Sequence, residues 1–461
     1  MKYGVDMQIG QLAENEDAVA IFDQYLPGVR GMLEKSPQSA GLSIRNLVKY
    51  MGGRIPASVL DGMEADLQKL NTPENRISPS EKRLIAHFQE LESERKAKEE
   101  ATAINGAVHH QDAIYPGQPW YDTKGQRIQA HGGAVFYESG SYYWYGENKE
   151  FTDGKNGIWT WGIRMYSSQD LYNWTDLGLI ILPVLDDPDS PLFPAKRVDR
   201  PHILKCAATG KYVCWIKLSG AEASFVIMEA DSLTGPYHMV QEEYKPQGKN
   251  LGDFDLICDE KTGKAYLYYD ADHEAIVGME LAEDYLSAKQ VVSEQYTALH
   301  PPFTREGPAL FEANGFKYLL TSGMTGYIPN KSDAAKSLAW DEPFERVGNP
   351  HVNDASNASF NSQISKIFRV EGKDMWIAMA DRWVVDFPVD AKLADIFTRT
   401  IANRYEPEKY QATEEERQIM MESPSLETAN TAIADYVWLP IMLDEEGNPK
   451  IGWRDCWKIE G

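Results

Sequence analysis

Cysteine is scarce in this chain, with four residues among 461: Cys206, Cys214, Cys258 and Cys456. Four cysteines are too few for the disulfide framework on which small secreted domains depend. They form no C-x-x-C motif and no Cys/His cluster of the kind that binds structural zinc. We therefore expect free, buried thiols, as in a protein of a reducing cytoplasm.

Positive charge is also in short supply. The chain has 46 Lys and Arg against 70 Asp and Glu, which gives a formal net charge of −24. A surface this acidic repels phosphate backbones, so nucleic acid is excluded as an expected partner. The one short run rich in Lys and Arg, Glu94–Lys98, is mixed in sign.

Long hydrophobic runs are missing as well. No apolar stretch approaches the roughly 20 residues needed to cross a bilayer, so no membrane partner is expected. The segment Met1–Gln11 lacks a positively charged stretch followed by an apolar one, which is the pattern of a secretory signal. The expected localisation is therefore cytoplasmic.

What the chain does contain is a hairpin pattern that recurs five times. Each unit is an apolar run, a turn with glycine and an aromatic-rich run, which predicts a β-hairpin. The units are Ala134–Tyr145, His202–Trp215, Leu256–Tyr269, Ala309–Leu320 and Ile364–Met379, with turn glycines Gly140, Gly210, Gly263, Gly315 and Gly372. Regular β repeats indicate radial repetition. The predicted fold class is mainly β, a five-bladed β-propeller.

The first hundred residues follow a different pattern. Helical periodicity is found in four segments, which are Ala18–Gln24, Ser43–Tyr50, Ala57–Leu70 and Pro79–Glu100. Ser78-Pro79 favours a helix start, because Ser caps a helix and Pro suits its first position. We predict a small N-terminal α-helical domain at residues 1–103 and a propeller catalytic domain at residues 104–461. A linker is expected at Ala101–Ala107.

Two features are expected near the C-terminus. Tyr436–Leu443 and Lys450–Trp457 read as a last hairpin, which we expect to complete a blade with the N-terminal strands. Glu406–Ala429 interrupts the β pattern and is predicted to be a helical or loop insertion.

The register of the hairpins predicts a site. The residues that open the five units lie nine to eleven positions before the turn glycines, and they are His131, Asp199, Asp253, Glu306 and Gln363. Counting seven positions forward from the first four glycines gives Glu147, Lys217, Asp270 and Ser322. In a propeller both sets border one face of the central cavity. The alternative is that each acid merely begins a strand at the surface.

Such a ring of carboxylates suits acid–base chemistry. Clustered carboxyl groups repel each other and drive their pKa values apart, so one stays protonated near neutral pH while another is ionised. Hydrolysis of a glycoside needs a proton for the leaving oxygen and a path for attack by water.

The stretch from His131 to Trp453 resembles glycoside hydrolase family 43, a family of five-bladed propellers. The signal is REGPALFEANGFKYLLTS, in which Glu306-Gly307-Pro308 matches the family's general-acid motif. Within the family it is most similar to the exo-β-1,3-galactanase branch. That similarity rests on HGGAVFYESGSYYWYGENK, MYSSQDLYNW, DRPHILKCAATGKYVCW, GDFDLICDEKTGKAYLYY, NSQISKIF, MADRW and YVWLP.

The helical region also has a resemblance. IFDQYLPGV and LSIRNLVKYMGGRIPASVLDGMEADLQKL are similar to a small α-helical module appended to many bacterial glycoside hydrolases. The similarity implies an accessory role or a homo-oligomer formed through the helical domain. An unrelated helical bundle is the alternative.

The resemblance implies catalytic roles for Glu306, Gln363 and Asp199. Glu306 is the general acid. Most of the family has an Asp base early in the first blade, but Gln129–Gly133 contains no Asp. The galactanase branch shares this departure and uses a Gln instead, which matches Gln363. Asp199 stands where the compared galactanases have Glu, and it tunes the acid or binds a hydroxyl.

The remaining candidates bind substrate. Glu147 and Asp253 match sugar-binding acids of the branch, and carboxylates accept hydrogen bonds from paired hydroxyls. His131 is a further candidate for binding. Tyr145, Tyr327, Trp383 and Trp438 are candidate stacking surfaces, although a structural role is at least as good an interpretation. No cofactor is required and no metal ligand is assigned. Some relatives hold a cation on the axis, so a structural cation there is compatible with the resemblance.

The sequence therefore predicts an inverting, exo-acting glycoside hydrolase that releases terminal β-linked galactose, with β-1,3-galactan or galacto-oligosaccharides as substrate. One alternative is an α-L-arabinofuranosidase or β-xylosidase of the same family. A second alternative is a catalytically silent sugar-binding propeller.

Overall fold

The computed structural model describes residues 2–27, 41–50, 55–72, 77–105, 109–220, 222–259, 261–425 and 428–459. The chain forms two compact units. The first contains Met1–Asn105 and Val184–Phe193, and the second contains Gly106–Pro183 and Pro194–Gly461. Within the described ranges, no helix is both long and apolar enough to cross a membrane.

The first unit is helical. Its helices are α1 (Ile9–Leu12), α2 (Glu16–Tyr25), α3 (Ile44–Tyr50), α4 (Ala57–Gln68) and α5 (Pro79–Asn105). The apolar faces of α1, α2, α3 and α4 meet in one core that includes the fully buried Ala18, Ile44, Met63 and Leu67. Burial of these stripes holds the short helices together, because isolated helices of this length are marginal in water.

Helix α5 confirms one prediction and corrects another. It starts at Pro79, as predicted, with Ser78 as its cap: the Ser78 hydroxyl accepts a hydrogen bond from the Glu81 amide, and the Glu81 carboxylate accepts one from the Ser78 amide, which completes a capping box. The helix then continues through Asn105, so a linker that begins at Ala101 is wrong.

The second unit is a five-bladed β-propeller, which confirms the predicted fold class. Each blade is one sheet, and all strand pairs are antiparallel except the first pair of blade 5 described below. Blade 1 contains β1 (His131–Glu138), β2 (Ser141–Glu147), β3 (Ile163–Ser168) and β4 (Thr175–Ile181); blade 2 contains β5 (Arg197–Lys205), β6 (Tyr212–Ser219), β7 (Ser224–Ala230) and β8 (His238–Tyr244).

The other three blades follow in chain order. Blade 3 contains β9 (Leu251–Cys258), β10 (Ala265–Ala271), β11 (Ala275–Leu281) and β12 (Ala288–Gln295); blade 4 contains β13 (Arg305–Ala313), β14 (Phe316–Gly323), β15 (Asp333–Ser337) and β16 (Glu345–Gly348). Blade 5 contains β17 (His351–Val352), β18 (Gln363–Arg369), β19 (Trp376–Arg382), β20 (Asp435–Leu443) and β21 (Pro449–Gly452).

The first strands of the hairpins line the axis. Strands β1, β5, β9, β13 and β18 contact one another in cyclic order. Every predicted hairpin is present, and three of the predicted unit boundaries are directly opposed pairs: Ala134 with Tyr145, His202 with Trp215 and Ala309 with Leu320. The sequence pattern therefore predicted the pairing register of these three hairpins.

Closure of the ring differs from the expectation. The last hairpin lies within blade 5, where β20 pairs with β19 and β21, and β21 also pairs with the short parallel strand β17. The N-terminal part of the propeller contributes two isolated bridges, Ile114 to Trp457 and Gln118 to Tyr436. No N-terminal strand completes the blade within the described residues.

A helical insertion interrupts blade 5 between β19 and β20. It holds α6 (Ala391–Ala402) and α7 (Glu414–Glu422), so it begins earlier than the predicted Glu406. Asp390 caps α6 by accepting from the Leu393 amide, and Thr413 and Glu416 form a capping box on α7.

Candidate active site

The residues that open the inner strands meet at one end of the propeller axis. Four of them are directly opposed to the end of the neighbouring strand: His131 to Glu147, Asp199 to Lys217, Glu306 to Ser322 and Gln363 to Asp381. In blade 3 the ladder shifts beside Asp270, near Asp253. Polar residues from all five blades thus border the same face.

A β-bulge follows these positions in the inner strands. The register shifts between His131 and Ala134, between Asp199 and His202, and between Glu306 and Ala309. Bulges next to active sites re-aim side chains. The bulge in blade 1 needs glycine, because a Cβ on Gly132 would lie 2.4 Å from Glu147 Oε1 and one on Gly133 would lie 1.8 Å from the Tyr145 carbonyl oxygen.

Seven of the ten predicted site residues line a cavity of about 430 Å³ at this face. They are Glu147, Asp199, Asp253, Glu306, Tyr327, Gln363 and Trp383. The same cavity is lined by residues that sequence reasoning did not assign, among them Trp159, Arg197, Arg200 and His273.

Three predicted substrate contacts are wrong, because these side chains are buried away from the cavity. His131 is fully buried, with Nδ1 3.1 Å from Asp381 and Nε2 3.2 Å from Gln129. The Tyr145 hydroxyl accepts from the Ile203 amide. Trp438 packs in the core between blades 1 and 5, with its ring centroid 4.7 Å from that of Trp144.

Glu306 has the electrostatics of a general acid. Burial raises its pKa, and the negative charges of Asp253 and Asp270 raise it further. The positive charges of Lys217 and Arg200 oppose this effect, and the result is a pKa of about 8. Glu306 is therefore protonated at neutral pH, as a proton donor must be.

Gln363 lies beside this acid. Its Nε2 donates to Ser322 Oγ at 2.7 Å and lies 3.4 Å from Glu306 Oε1. Its Oε1 accepts a short hydrogen bond from Arg200 Nη2. The amide is thus held at both ends, and its orientation is defined by its partners.

Arg200 connects three site residues. Besides Gln363, its Nη2 lies 3.1 Å from Asp253 Oδ2, and its backbone amide donates to Glu147 Oε1 at 2.9 Å. The residue occupies the bulge of β5 with a φ of +49°, a left-handed conformation that is uncommon outside glycine. Its buried Nη1 has no hydrogen-bond partner in the described part of the chain. That donor is available to a ligand.

Asp253 and Asp199 have different partners in the cavity. Burial raises the pKa of Asp253, but the charges of Arg200 and Lys217 outweigh it and hold the pKa well below its usual range. Lys217 Nζ lies 2.8 Å from Asp253 Oδ1. The Asp199 carboxylate accepts a hydrogen bond from the indole N–H of Trp159 at 2.6 Å and another from the Ser219 hydroxyl.

Glu147 is buried next to Lys149, whose Nζ lies 2.6 Å from Glu147 Oε2. Burial raises the pKa of Glu147 to about 7, although Lys149 opposes the shift; Asp199 adds to it. Two carboxyl groups of the site, Glu147 and Glu306, therefore titrate near neutral pH. Perturbed values of this kind are a mark of functional sites.

Three aromatic rings form one wall of the cavity. Tyr327 lies between Trp159 and Trp383, with centroid distances of 6.3 Å and 5.4 Å and interplanar angles of 17° and 30°. Lys149 and Arg197 lie over the ring of Trp159 at 4.8 Å and 4.9 Å. A wall of stacked rings above a floor of carboxylates is suited to a sugar, which has apolar faces and a rim of hydroxyls.

The residues missed by the sequence analysis have identifiable signals. Asp381 is the fifth outgoing residue, but Gly372 is only the third of the six residues between the paired Arg369 and Trp376, so counting seven positions from it reaches Met379. Arg200 directly follows Asp199 in the segment DRP. Trp159 and Arg197 lie in and after loops whose position in space depends on the tertiary structure.

A cation on the axis was the one metal that the sequence left open. No group of three or more His, Cys, Asp and Glu side chains suited to a metal is found within the described ranges. Further along the axis, Lys366 Nζ lies 2.6 Å from both Asp255 Oδ1 and the Leu256 carbonyl oxygen. The expectation that no cofactor is required stays a prediction.

A propeller with a protonated carboxyl, ionised carboxylates and an aromatic wall at one end of its axis has the architecture of a glycoside hydrolase. The model of glycosyl hydrolases family 43 matches residues 130–384. The chain belongs to that family.

Solved structures are similar over the propeller. The GH43 β-1,3-galactosidase BT0265 has 26% identity and a TM-score of 0.60, and the similarity covers 76% of this chain and 64% of that protein. The chain therefore spans less than two thirds of that relative. No curated protein sequence matches the chain.

Two further structures share the fold at lower identity. The GH43 β-1,3-galactosidase BT3683, solved with galactodeoxynojirimycin, has 24% identity and a TM-score of 0.58, covering 75% of this chain and all of that one. The exo-β-1,3-galactanase from Phanerochaete chrysosporium, solved with β-1,3-galactotriose, has 22% identity and a TM-score of 0.59, covering 76% and 69%.

Proposed function

We propose that this protein is an inverting, exo-acting hydrolase that removes terminal β-linked galactose from β-1,3-galactan or galacto-oligosaccharides. The observation that carries the proposal is the state of Glu306, whose pKa is raised to about 8 in a cavity that also holds the ionised Asp253. The pair supplies a proton and negative charge in one pocket.

In this mechanism Glu306 gives its proton to the glycosidic oxygen as the bond to the anomeric carbon breaks. A water molecule forms the new bond from the opposite face, and the product has the inverted configuration. Gln363 orients that water, whose proton then passes to solvent, or relays the proton through an imidic acid form. The hydrogen bond from Arg200 to Oε1 favours orientation, because a guanidinium donor makes that oxygen a weaker base.

Gln363 has to leave Glu306 for this geometry to form. The amide nitrogen is 3.4 Å from Glu306 Oε1, whereas the two catalytic carboxyl groups of inverting enzymes are about 6.5 to 9.5 Å apart. A sugar bound between the two groups therefore displaces the amide from the acid.

The substrate assignment rests on the floor of the cavity and on the relatives. Glu147, Asp199 and Asp253 present carboxylates that accept hydrogen bonds from neighbouring hydroxyls of one ring. A β-1,3-galactosidase is the relative with 26% identity. Because Asp199 is one methylene shorter than the Glu of the compared galactanases, its hydroxyl partner has to lie closer to β5.

Product analysis tests the proposal. Wild-type protein is incubated with β-1,3-galactan and with β-1,3-galactobiose, and proton NMR follows the anomer released. Replacing Glu306→Gln should lower kcat about 10²- to 10⁴-fold. The exposed Glu345→Gln on β16 is the matched control and should keep full activity. Release of galactose with retained configuration, or full activity of Glu306→Gln, would contradict the mechanism.

The silent sugar-binding propeller has one observation in its favour, which is that an amide occupies the place of the expected base. It predicts galactose binding in calorimetry with no turnover of galacto-oligosaccharides. The arabinofuranosidase or xylosidase alternative predicts that aryl arabinofuranosides or xylosides are cleaved faster than aryl galactosides in a side-by-side assay.

A further inference from the structure

One side chain that lines the cavity has no part in the mechanism above. His273 lines the cavity from the turn that joins β10 to β11, and it contacts Asp270 at the end of β10. Its Nδ1 is 2.5 Å from Asp270 Oδ2. The pair belongs to the same face as Glu306, since all three residues lie at that end of the propeller.

The fold makes room for this pair. Asp270 is fully buried, and its carboxylate occupies the space in front of Gly252 on the inner strand β9. A Cβ on Gly252 would lie 1.9 Å from Asp270 Oδ2, so only glycine at that position admits the carboxylate.

The turn itself is held in an uncommon conformation. Asp272 and His273 have φ values of +54° and +59°, a left-handed region that is unfavourable for amino acids other than glycine. Reciprocal hydrogen bonds fix the turn: the Asp272 amide donates to the Asn250 carbonyl oxygen, and the Asn250 amide donates to Asp272 Oδ1. The imidazole therefore has a defined position.

The contact with Asp270 decides which ring nitrogen of His273 can bind another molecule. Because Nδ1 is taken by Asp270, Nε2 is the nitrogen that remains for another molecule. The Asp270 carboxylate raises the pKa of His273 and thereby favours the protonated ring, in which Nε2 carries a hydrogen. The side chain is 57% exposed, in contrast to the buried Glu147 and Asp253 of the same cavity.

Exposure places His273 at the mouth of the cavity. An exo-acting enzyme binds the terminal sugar deepest, and the rest of the substrate extends outward past the proton donor. We propose that His273, oriented by Asp270, binds the sugar on the leaving-group side of the scissile bond through its Nε2–H. This inference rests on the proposed function, and it assigns the pair to recognition of the second sugar of the chain.

The test distinguishes a contact with the second sugar from a contact with the first. His273→Gln is compared with wild type in two assays: kcat/KM for β-1,3-galactobiose, and the Kd of galactose by calorimetry. A charged hydrogen bond is worth about 1.5 kcal/mol or more, so kcat/KM should fall about tenfold. The Kd of galactose should change less than twofold, because a single sugar occupies the buried terminal position.

Two further variants complete the experiment. His238→Gln, at an exposed position of β8, is the matched control and should match wild type in both assays. Asp270→Asn loosens the ring without removing it, and it also removes a charge that raises the pKa of Glu306. Compared with wild type at the optimum of its own pH profile, it should lose part of the galactobiose activity with galactose binding intact.

Three outcomes overturn the inference. Unchanged kcat/KM in His273→Gln means that the imidazole does not contact the second sugar. An equal loss of galactose binding means that it acts on the first. Inactivity of folded wild type on galactobiose would overturn the proposed function, and this inference with it.

Discussion

Arg200 and Gln363 are joined by a hydrogen bond from the guanidinium to the amide oxygen, and this bond decides how the amide faces the proton donor. With Oε1 turned to Arg200, Nε2 is directed at Ser322 and Glu306. A carboxylate at position 363 would have no hydrogen to offer to Ser322 Oγ or to a second acid. The network therefore explains why an amide is compatible with this position.

Replacing Gln363→Ala should remove the group that orients the water. We expect kcat to fall about 10²-fold or more, with a smaller change in KM, because positioning is needed mainly in the transition state. Steady-state kinetics on β-1,3-galactobiose measures both constants. Gln290→Ala on the exposed strand β12 serves as the control. If Gln363→Ala changes KM alone, the residue is a binding group only.

The pH profile should be bell-shaped. Glu306 must be protonated and has a pKa of about 8, so kcat/KM falls tenfold per unit above about pH 8. Glu147, with a pKa of about 7, accepts hydrogen bonds best when ionised, which gives the acidic limb. Initial rates between pH 5 and pH 10 are the measurement.

Charge substitutions should move the alkaline limb in opposite directions. Asp253→Asn removes a negative charge that raises the pKa of Glu306, so the limb shifts down by about one pH unit. Lys217→Met removes a positive charge that lowers that pKa, so the limb shifts up. The measurement compares the pH at which kcat/KM begins to fall on the alkaline side, and the maximal rate of each variant is not part of the comparison. Movement of both variants in the same direction would refute the assignment of this limb to Glu306.

The close approach of β1 and β2 predicts a difference between two glycines. Gly133→Ala places a Cβ 1.8 Å from the Tyr145 carbonyl oxygen and should cost more than about 3 kcal/mol in the free energy of unfolding. Gly140→Ala strains a φ of +85° but meets no atom within 4 Å, so it should cost about 1 to 2 kcal/mol. Urea denaturation gives both values, and equal losses would contradict the steric argument.

The axial ion pair should matter for stability. Lys366 Nζ and Asp255 Oδ1 are 2.6 Å apart, and Asp255 is fully buried. Lys366→Met leaves that carboxylate without its cation and should cost about 3 to 5 kcal/mol. The double variant with Asp255→Asn should recover part of the loss. A single variant as stable as wild type in urea would mean that the pair contributes nothing.

Local patterns accounted for most of the architecture. Each hairpin is encoded by an apolar run, a glycine turn and an aromatic run, and pairing within a hairpin is a short-range matter. The register of three hairpins could therefore be read directly. Helix α6 was missed, because Ala391–Ala402 lies inside a strand-rich region.

The site was predicted in part, for the same reason. Glu306, Gln363, Asp199, Asp253 and Glu147 open or close hairpin strands, so counting from the glycines located them. Asp381 was missed because Gly372 lies early in its turn, so a count of seven positions stops short of it. Trp438 was misassigned because burial depends on which blades pack against it, and its neighbours Trp120, Trp144 and Trp174 are distant in the chain.

The sequence by itself determined the propeller, the five inner strands and the acids that open them, since these follow from periodicity over a dozen residues. The tertiary structure alone decided which side chains face the cavity. It places the side chains of His131, Tyr145 and Trp438 in the core, and it brings Arg200, Trp159 and His273 to the cavity that contains Glu306. The physical reason is that the face of a strand to which a side chain points follows from the local sequence, whereas the residues that pack against that face come from another blade.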